Sequence, residues 1–288
     1  MGKVNAVIMA AGTASRFVPL SEETPKGLIE VKGEILIERQ IRQLKEAGIT
    51  DITVIVGYRA EQFLYLKKKF DVDIVLNEDY AKYNNTSSVI RVLDKLGDTF
   101  ICSSDNYFPE NVFKTIPSQS CYSALYAEGQ TGEYCMSLDK EDNITGVSIG
   151  GKDSWYMVGH VFFSKEFSNV FKEILRKEYE KEETRQGYWE DVYIKYLDLL
   201  PKMRAYKYKA HEIEEFDSLD ELRLFDRSYS EDTRSSVLKN IARRLNCKES
   251  QMSGFKRIKN AEGILCFTFN VSGKEYQYNG EEDIIATI

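Results

Sequence analysis

Short apolar runs separated by helix-length amphipathic stretches set the pattern of the first hundred residues. Residues 5–9, 51–56, 72–76 and 99–102 are nearly continuous apolar runs, the pattern of strands covered on both faces. Between them, residues 35–47 place Ile37, Ile41 and Leu44 on one helical face and stop at Gly48. Residues 60–70 and 87–96 read as two further helices. Buried strands alternating with helices predict an α/β fold, a Rossmann-like mixed, mainly parallel sheet flanked by helices.

From about Cys121 the text becomes strand-rich. Strands are expected at 121–127, 134–138, 147–149 and 157–163, broken by Glu141-Asp142-Asn143 and Gly150-Gly151. Helices over 165–182 and 189–200 follow, then a strand near 205–209. Ser218-Leu219-Asp220-Glu221 has the form of a capping box. The polar run 227–234 suggests a boundary, giving one domain over 1–228 and a small C-terminal α+β appendix over 229–288. In that appendix an amphipathic helix at 237–245 precedes a hairpin of 264–271 and 275–278, joined through Ser272-Gly273. The roughly 55 residues beyond the polar run are marginal for an independent domain. The appendix is therefore expected to pack on the first domain or to serve association with a partner or a second copy.

Composition narrows the function. The 288 residues are 42% apolar and 30% charged, and no apolar run approaches the ~20 residues that span a bilayer. No membrane insertion is expected. The opening residues lead straight into a strand without a signal-peptide pattern, and Ala6 stands where a myristoylation motif needs Ser or Thr. The expected compartment is the cytoplasm. A formal net charge of −7 offers no basic footprint for nucleic acid. It also requires any anionic substrate to be held by local groups and metal. The five cysteines form no CxxC pair and read as reduced, mostly buried thiols. His160 and His211 are far apart, and no Ser/His/Asp or Cys/His grouping indicates a covalent nucleophile.

The strongest chemical signal lies between Val7 and Lys26. A buried strand runs into Ala10-Ala11-Gly12-Thr13-Ala14, then Arg16, with Pro25-Lys26 further on. Small side chains let backbone N–H groups approach phosphate oxygens, and an arginine can pair with them bidentately. An ordinary strand-to-loop junction with a surface Arg and Lys fits that segment equally well. Two phosphate motifs are excluded. The Gly-Lys pairs are followed by Val4, Asp153 and Glu275 rather than Ser or Thr, and the turn lacks the further glycines of a dinucleotide fingerprint.

A-A-G-x-x-x-R followed by P-K resembles the signature of the nucleotidyltransferases that make NDP-sugars and CDP-alcohols. The resemblance extends to Gly57-Tyr58, Asn77-Glu78, Tyr83-Asn84-Asn85-Thr86-Ser87-Ser88, Asp105 and Glu215-Phe216-Asp217. Over residues 3–228 the chain is similar to bacterial phosphocholine cytidylyltransferases. That family usually has glycine where Ala14 stands; a positive φ there would strain the alanine.

The resemblance implies roles. Lys26 and Arg16 would act on the phosphates. Ala10, Ala11, Gly12, Thr13, Ala14, Gly57, Tyr83, Asn84 and Ser88 would hold the nucleotide, with Asn84 and Ser88 reading the base. Asp105, Glu215 and Asp217 would bind Mg²⁺. Tyr134, Trp155, Tyr188, Trp189 and Glu190 would hold choline, since a quaternary ammonium is best bound by aromatic faces and carboxylates. Each has a plainer reading beside it. Asp105 could cap a helix, Asp217 could favour the dipole of the helix after it, and Asn84 and Ser88 could start a helix. The aromatic residues could be core.

The function implied is Mg²⁺-dependent transfer of CMP from CTP to phosphocholine, giving CDP-choline and pyrophosphate. A sugar-1-phosphate nucleotidyltransferase and a non-catalytic nucleotide-binding regulator are the alternatives. The hairpin at 264–278 resembles the opening strands of choline-kinase-like proteins, but no kinase catalytic loop follows, which points to a remnant or a docking element.

Overall fold

Strand β1 (Asn5–Ala10) is the axis of a seven-stranded sheet and is buried along most of its length. The computed structural model describes residues 3–258, 264–281 and 284–287. The other principal strands of this sheet are β2 (Ile52–Val56), β3 (Asp73–Leu76), β4 (Thr99–Ser103), β5 (Cys121–Leu138), β6 (Ile144–Phe163) and β7 (Arg204–Lys207). Their order is β7-β5-β6-β4-β1-β2-β3. Strand β1 lies parallel to both β2 and β4, while β6 runs antiparallel to β4 and β5. This is the expected mixed, mainly parallel sheet. Helix α1 (Leu36–Glu46) carries Ile37, Ile41 and Leu44 on one face with no exposure, as the spacing predicts. Among the described residues no helix is long and apolar enough to cross a membrane.

The second half departs from expectation in its strands. The four short strands expected between residues 121 and 163 are two long ones, β5 and β6, of 18 and 20 residues. The register shifts between Ala127 and Gln130 and between Thr131 and Tyr134, and Gly129 and Gly150 have φ of 79° and 77°. The glycines absorb bulges within a continuing ladder instead of ending strands. Helix α2 (Thr86–Arg91), helix α3 (Lys165–Glu178) and helix α4 (Trp189–Lys195) complete the helices that bear on the site.

The chain divides into two compact units, Met1–Gly12 with Ile37–Glu214, and Thr13–Leu36 with Glu215–Ile288. A boundary at 228/229 does not coincide with this division, because the segment after Gly12 folds with the C-terminal residues. In the second unit, β8 (Met252–Arg257), β9 (Cys266–Val271), β10 (Lys274–Asn279) and β11 (Ile284–Thr287) form an antiparallel sheet. The hairpin of β9 and β10 turns at Ser272-Gly273, both with positive φ, as a two-residue hairpin turn favours. Helix α5 (Leu219–Phe225) and helix α6 (Ser236–Arg244) belong to the same unit. Ser218 Oγ caps α5 by accepting from Glu221 N at 3.2 Å. The Glu221 carboxylate accepts from Asp217 N at 2.8 Å, one residue earlier than a standard box. Cys102, Cys121, Cys135 and Cys266 are buried and Cys247 is partly so; all are free thiols.

Candidate active site

In the first unit the signature strand ends at the point where strand order reverses, with β2 on one side of β1 and β4 on the other. Ligands of open α/β sheets bind outside the strand ends at such points. Tyr58 N donates to Ala11 O and Ser104 N to Met9 O, each at 3.1 Å, so Ala10-Ala11-Gly12 is fixed by both neighbours. A Cβ on Gly57 would stand 2.6 Å from Tyr80 Cβ and 2.9 Å from Ala11 O; only glycine fits. A Cβ on Gly12 would meet nothing within 4 Å. The folded chain does not itself demand glycine there; a ligand approaching the backbone would. Asp105 follows β4 by two residues and is partly exposed.

The loop at 83–88 is tied down from both sides. Buried Asn77 donates through Nδ2 to Ser87 Oγ at 2.8 Å and Ser88 Oγ at 3.0 Å, and its Oδ1 accepts from Arg91 Nε at 3.0 Å. Ser88 is thus a buried support at the start of α2. Asn84 is half-buried, and its Oδ1 accepts from Asn85 N at 2.8 Å. Tyr83 Oη reaches the Glu182 carboxylate at 3.4 Å.

Asn85 links this loop to the residues expected to hold the acceptor. Its Nδ2 donates to Glu190 at 3.1 Å, and its Oδ1 accepts from Trp189 N at 2.8 Å. Tyr122 Oη also donates to Glu190, at 3.1 Å. Glu190 retains some exposure, yet the packed surroundings of its carboxyl push its pKa up to about 7, against the opposing pull of the Asn85 and Tyr122 hydrogen bonds. Asp191 beside it accepts from Tyr134 Oη at 3.2 Å and from Tyr188 N at 2.8 Å. The Tyr134 and Tyr188 rings stand edge to face at 6.4 Å, and Tyr188 is 45% exposed.

The two tryptophans are more engaged than expected. Trp189 is 2% exposed, stacked on Tyr122 and edge-on to Phe163 and Phe171. Its ring is core, and its place at the first turn of α4 delivers Glu190. Trp155 meets Tyr126 edge-on, and Lys207 Nζ lies over its ring at 5.0 Å; that face already takes a cation. Tyr122 and Asn85 were not among the candidates from sequence. Asn85 was detectable, standing within the Y-N-N-x-x-S stretch; Tyr122 lies in an unremarkable apolar strand. His160 is buried among aromatic rings, which pushes its pKa down to about 3, and His211 pairs with Glu214 at the surface.

The second unit carries the cations. Ala14 adopts φ 47°, ψ 47° and precedes the turn of Ser15–Phe17. The strain expected of an alanine at positive φ is therefore present. Ala14→Gly is expected to raise stability by about 1 kcal/mol, a few degrees in a thermal melt; an unchanged or lower melting temperature would contradict this. Asp217 draws in both basic residues. Arg16 Nη1 lies 2.8 Å from Asp217 Oδ2, and Lys26 Nζ lies 3.3 Å from Oδ1. Lys26 is only 10% exposed in its side chain, while Arg16 is 75% exposed. Phe216 is buried against Phe225 at 5.1 Å and anchors the strand end from which Glu215 and Asp217 project. Thr13 is exposed.

Among the described residues, no three or more His, Cys, Asp or Glu side chains group closely enough to hold a metal unaided. Mg²⁺ commonly takes one or two protein carboxylates and completes its shell with substrate phosphates and water. Carboxylates such as those of Asp105 and Asp217 suit that hard cation better than a soft metal.

Residues 6–136 match the MobA-like NTP transferase domain family. The chain is 38% identical over 234 residues to the 2-aminoethylphosphonate cytidylyltransferase of Lancefieldella rimae, covering 79% of this chain and 94% of that protein. It is 34% identical over 223 residues to the choline-phosphate cytidylyltransferase of Streptococcus pneumoniae, covering 76% and 96%. The solved structure of CTP:phosphocholine cytidylyltransferase from Streptococcus pneumoniae superposes with a TM-score of 0.75 at 33% identity, covering 78% of this chain and 99% of that one.

Proposed function

Because the chain belongs to the cytidylyltransferase family of NTP transferases, we propose that it joins CTP to phosphocholine, giving CDP-choline and pyrophosphate. A phosphoryl oxygen of the acceptor forms a bond to the α-phosphorus of CTP, and the bond from that phosphorus to the β-phosphate's bridging oxygen breaks. A phosphate monoester has a second pKa of about 6, so its dianion is the main form at neutral pH and no general base is needed. The protein's work is to align two anions and to stabilise charge growing on the transferring and leaving phosphates.

Lys26, mostly shielded from solvent, is assigned to the α-phosphate and exposed Arg16 to the outer phosphates. Both pair with Asp217, which gathers the two cations on one anion. Asp105, Glu215 and Asp217 are the carboxylates assigned to the metal. Bound Mg²⁺ would neutralise phosphate charge.

The observation that carries the acceptor assignment is Asp191, which accepts from Tyr134 Oη and Tyr188 N, with Glu190 next to it in the chain and the Tyr134 and Tyr188 rings edge to face. Anionic groups with aromatic faces suit an alkylammonium head, and a sugar phosphate offers no such cation. A second acceptor, 2-aminoethylphosphonate, is favoured by the engagement of both tryptophan rings. That leaves hydrogen-bonding carboxylates as the principal partners, which a primary ammonium can use and a quaternary one cannot.

Glu190 supplies a test. Its pKa of about 7 lies above the ordinary carboxylate range, so it becomes ionised as pH rises through neutrality. A cationic head favours the ionised form. The KM for phosphocholine is expected to fall between pH 6 and 8, by on the order of ten-fold per unit of linked pKa change. Glu190→Gln should abolish that part of the profile and leave the part due to acceptor phosphate ionisation. Folding has the opposite sign. A carboxyl with a raised folded-state pKa favours the native state at low pH and loses this contribution as pH rises towards 7. Glu190→Gln should therefore be relatively more stable than the parent at pH 8 than at pH 5. Superimposable acceptor-KM profiles for parent and variant would sink the assignment.

A further inference from the structure

The residues that carry Arg16 and Lys26 do not fold with the strand that leads into them. They fold with the C-terminal end of the chain. The cytidylyltransferase relatives are covered over 94% and 96% of their own lengths, while only 79% and 76% of this chain is matched. About a fifth of the chain is thus additional to them, and the resemblance over residues 3–228 leaves 229–288 as the addition.

Within the second unit this addition grips the segment between and beyond the two cations. Arg257, on β8, forms an ion pair with Glu22, both side chains less than a quarter exposed. Ser236, at the start of α6, donates to the Glu23 carboxylate through its backbone N at 2.8 Å and also through its hydroxyl. Glu22 and Glu23 belong to the single helical turn Leu20–Glu23, which lies between Arg16 and Lys26 in the chain. On the far side of Lys26, Tyr229 Oη donates to Glu30 O at 2.7 Å, and Arg234 Nη1 donates to the same oxygen at 3.1 Å. Strand β8 also lies against the Ser15–Phe17 turn, where Phe17 is 2% exposed.

We propose that residues 229–288 position the triphosphate-gripping segment. Arg257 and Ser236 hold the turn between Arg16 and Lys26, and Tyr229 and Arg234 hold the strand after it. The appended module is then part of nucleotide binding. Arg257 is a positioning residue that acts through Glu22 and needs no contact with substrate. This rests on the reading of Arg16 and Lys26 as phosphate ligands.

The test uses the full chain with Arg257→Ala, the charge swap Glu22→Arg with Arg257→Glu, and Ser236→Ala as a milder second break. Hydrogen exchange of residues 13–36 is followed beside steady-state pyrophosphate release. Arg257→Ala is expected to speed exchange over Leu20–Glu23. It should lower kcat/KM for CTP on the order of ten- to a hundred-fold, the scale of a misplaced catalytic group, while leaving the acceptor KM unmoved. The charge swap should restore both readouts. Unchanged exchange in Arg257→Ala and Ser236→Ala would overturn the proposal. So would faster exchange with parental kcat/KM for CTP, which would make the module merely structural. If Arg257→Ala does not fold, Arg257→Lys with Ser236→Ala decides by the same two readouts. A parent protein without CTP turnover would instead sink the functional reading, and CTP protection of residues 13–36 in exchange would then decide the positioning claim.

Discussion

Lys26→Ala is expected to lower turnover by on the order of 10²–10³-fold while changing the affinity for CTP far less. Lys26 is mostly shielded and its ammonium sits 3.3 Å from an Asp217 oxygen. A point charge in that setting strengthens most when negative charge grows beside it, at the transferring phosphorus. Arg16, exposed and on the outer phosphates in this reading, should behave in the opposite way, with Arg16→Ala raising the KM for CTP more than it lowers kcat. Single-turnover measurements with CTP binding followed separately distinguish the two. A Lys26→Ala variant with parental turnover would remove this residue from the chemistry.

The second large effect belongs to Asp217. Its two oxygens hold both cations, and in the proposed function the same carboxylate is assigned to Mg²⁺. Asp217→Asn should therefore do two opposed things. With its competing anion removed, Arg16 and Lys26 are freer to pair with phosphates, so CTP binding without divalent cation should tighten several-fold, within the range of one charge-assisted contact. With a metal carboxylate lost, turnover should fall on the order of 10²-fold or more, and the Mg²⁺ concentration giving half-maximal rate should rise. Calorimetric CTP titration in EDTA and a Mg²⁺ titration of turnover read the two effects separately. Weaker metal-free binding, or an unshifted Mg²⁺ requirement, would contradict the dual role.

The N-terminal strands and helix were legible because periodicity reports directly on burial. Ile37, Ile41 and Leu44 face the core for the reason their spacing suggests. The arm of β5 and β6 was not, because Gly150-Gly151 reads as a break in sequence but lies at a bulge once each strand has a partner. Trp189 stands between polar neighbours that made it look exposed, and only tertiary packing against Phe163 and Phe171 makes it core. The Lys26–Asp217 contact joins residues 191 apart in sequence, a separation no local pattern can bridge. The missing glycine left two readings of Ala14, a strained residue at positive φ or a loop closed differently, and its φ of 47° is that of the first. The alliance of the C-terminal strands with the segment after Gly12 was not, since no composition shift marks it.

We propose that this chain transfers CMP to an alkylammonium-bearing acceptor. Pyrophosphate release with Mg²⁺ tests it most directly, crossing CTP, UTP, ATP and GTP with phosphocholine, 2-aminoethylphosphonate, phosphoethanolamine and glucose 1-phosphate. Release is expected with CTP and phosphocholine, with 2-aminoethylphosphonate as the rival for highest rate, and none above background with glucose 1-phosphate. Fastest release with glucose 1-phosphate, or no release with any alkylammonium acceptor, would contradict it.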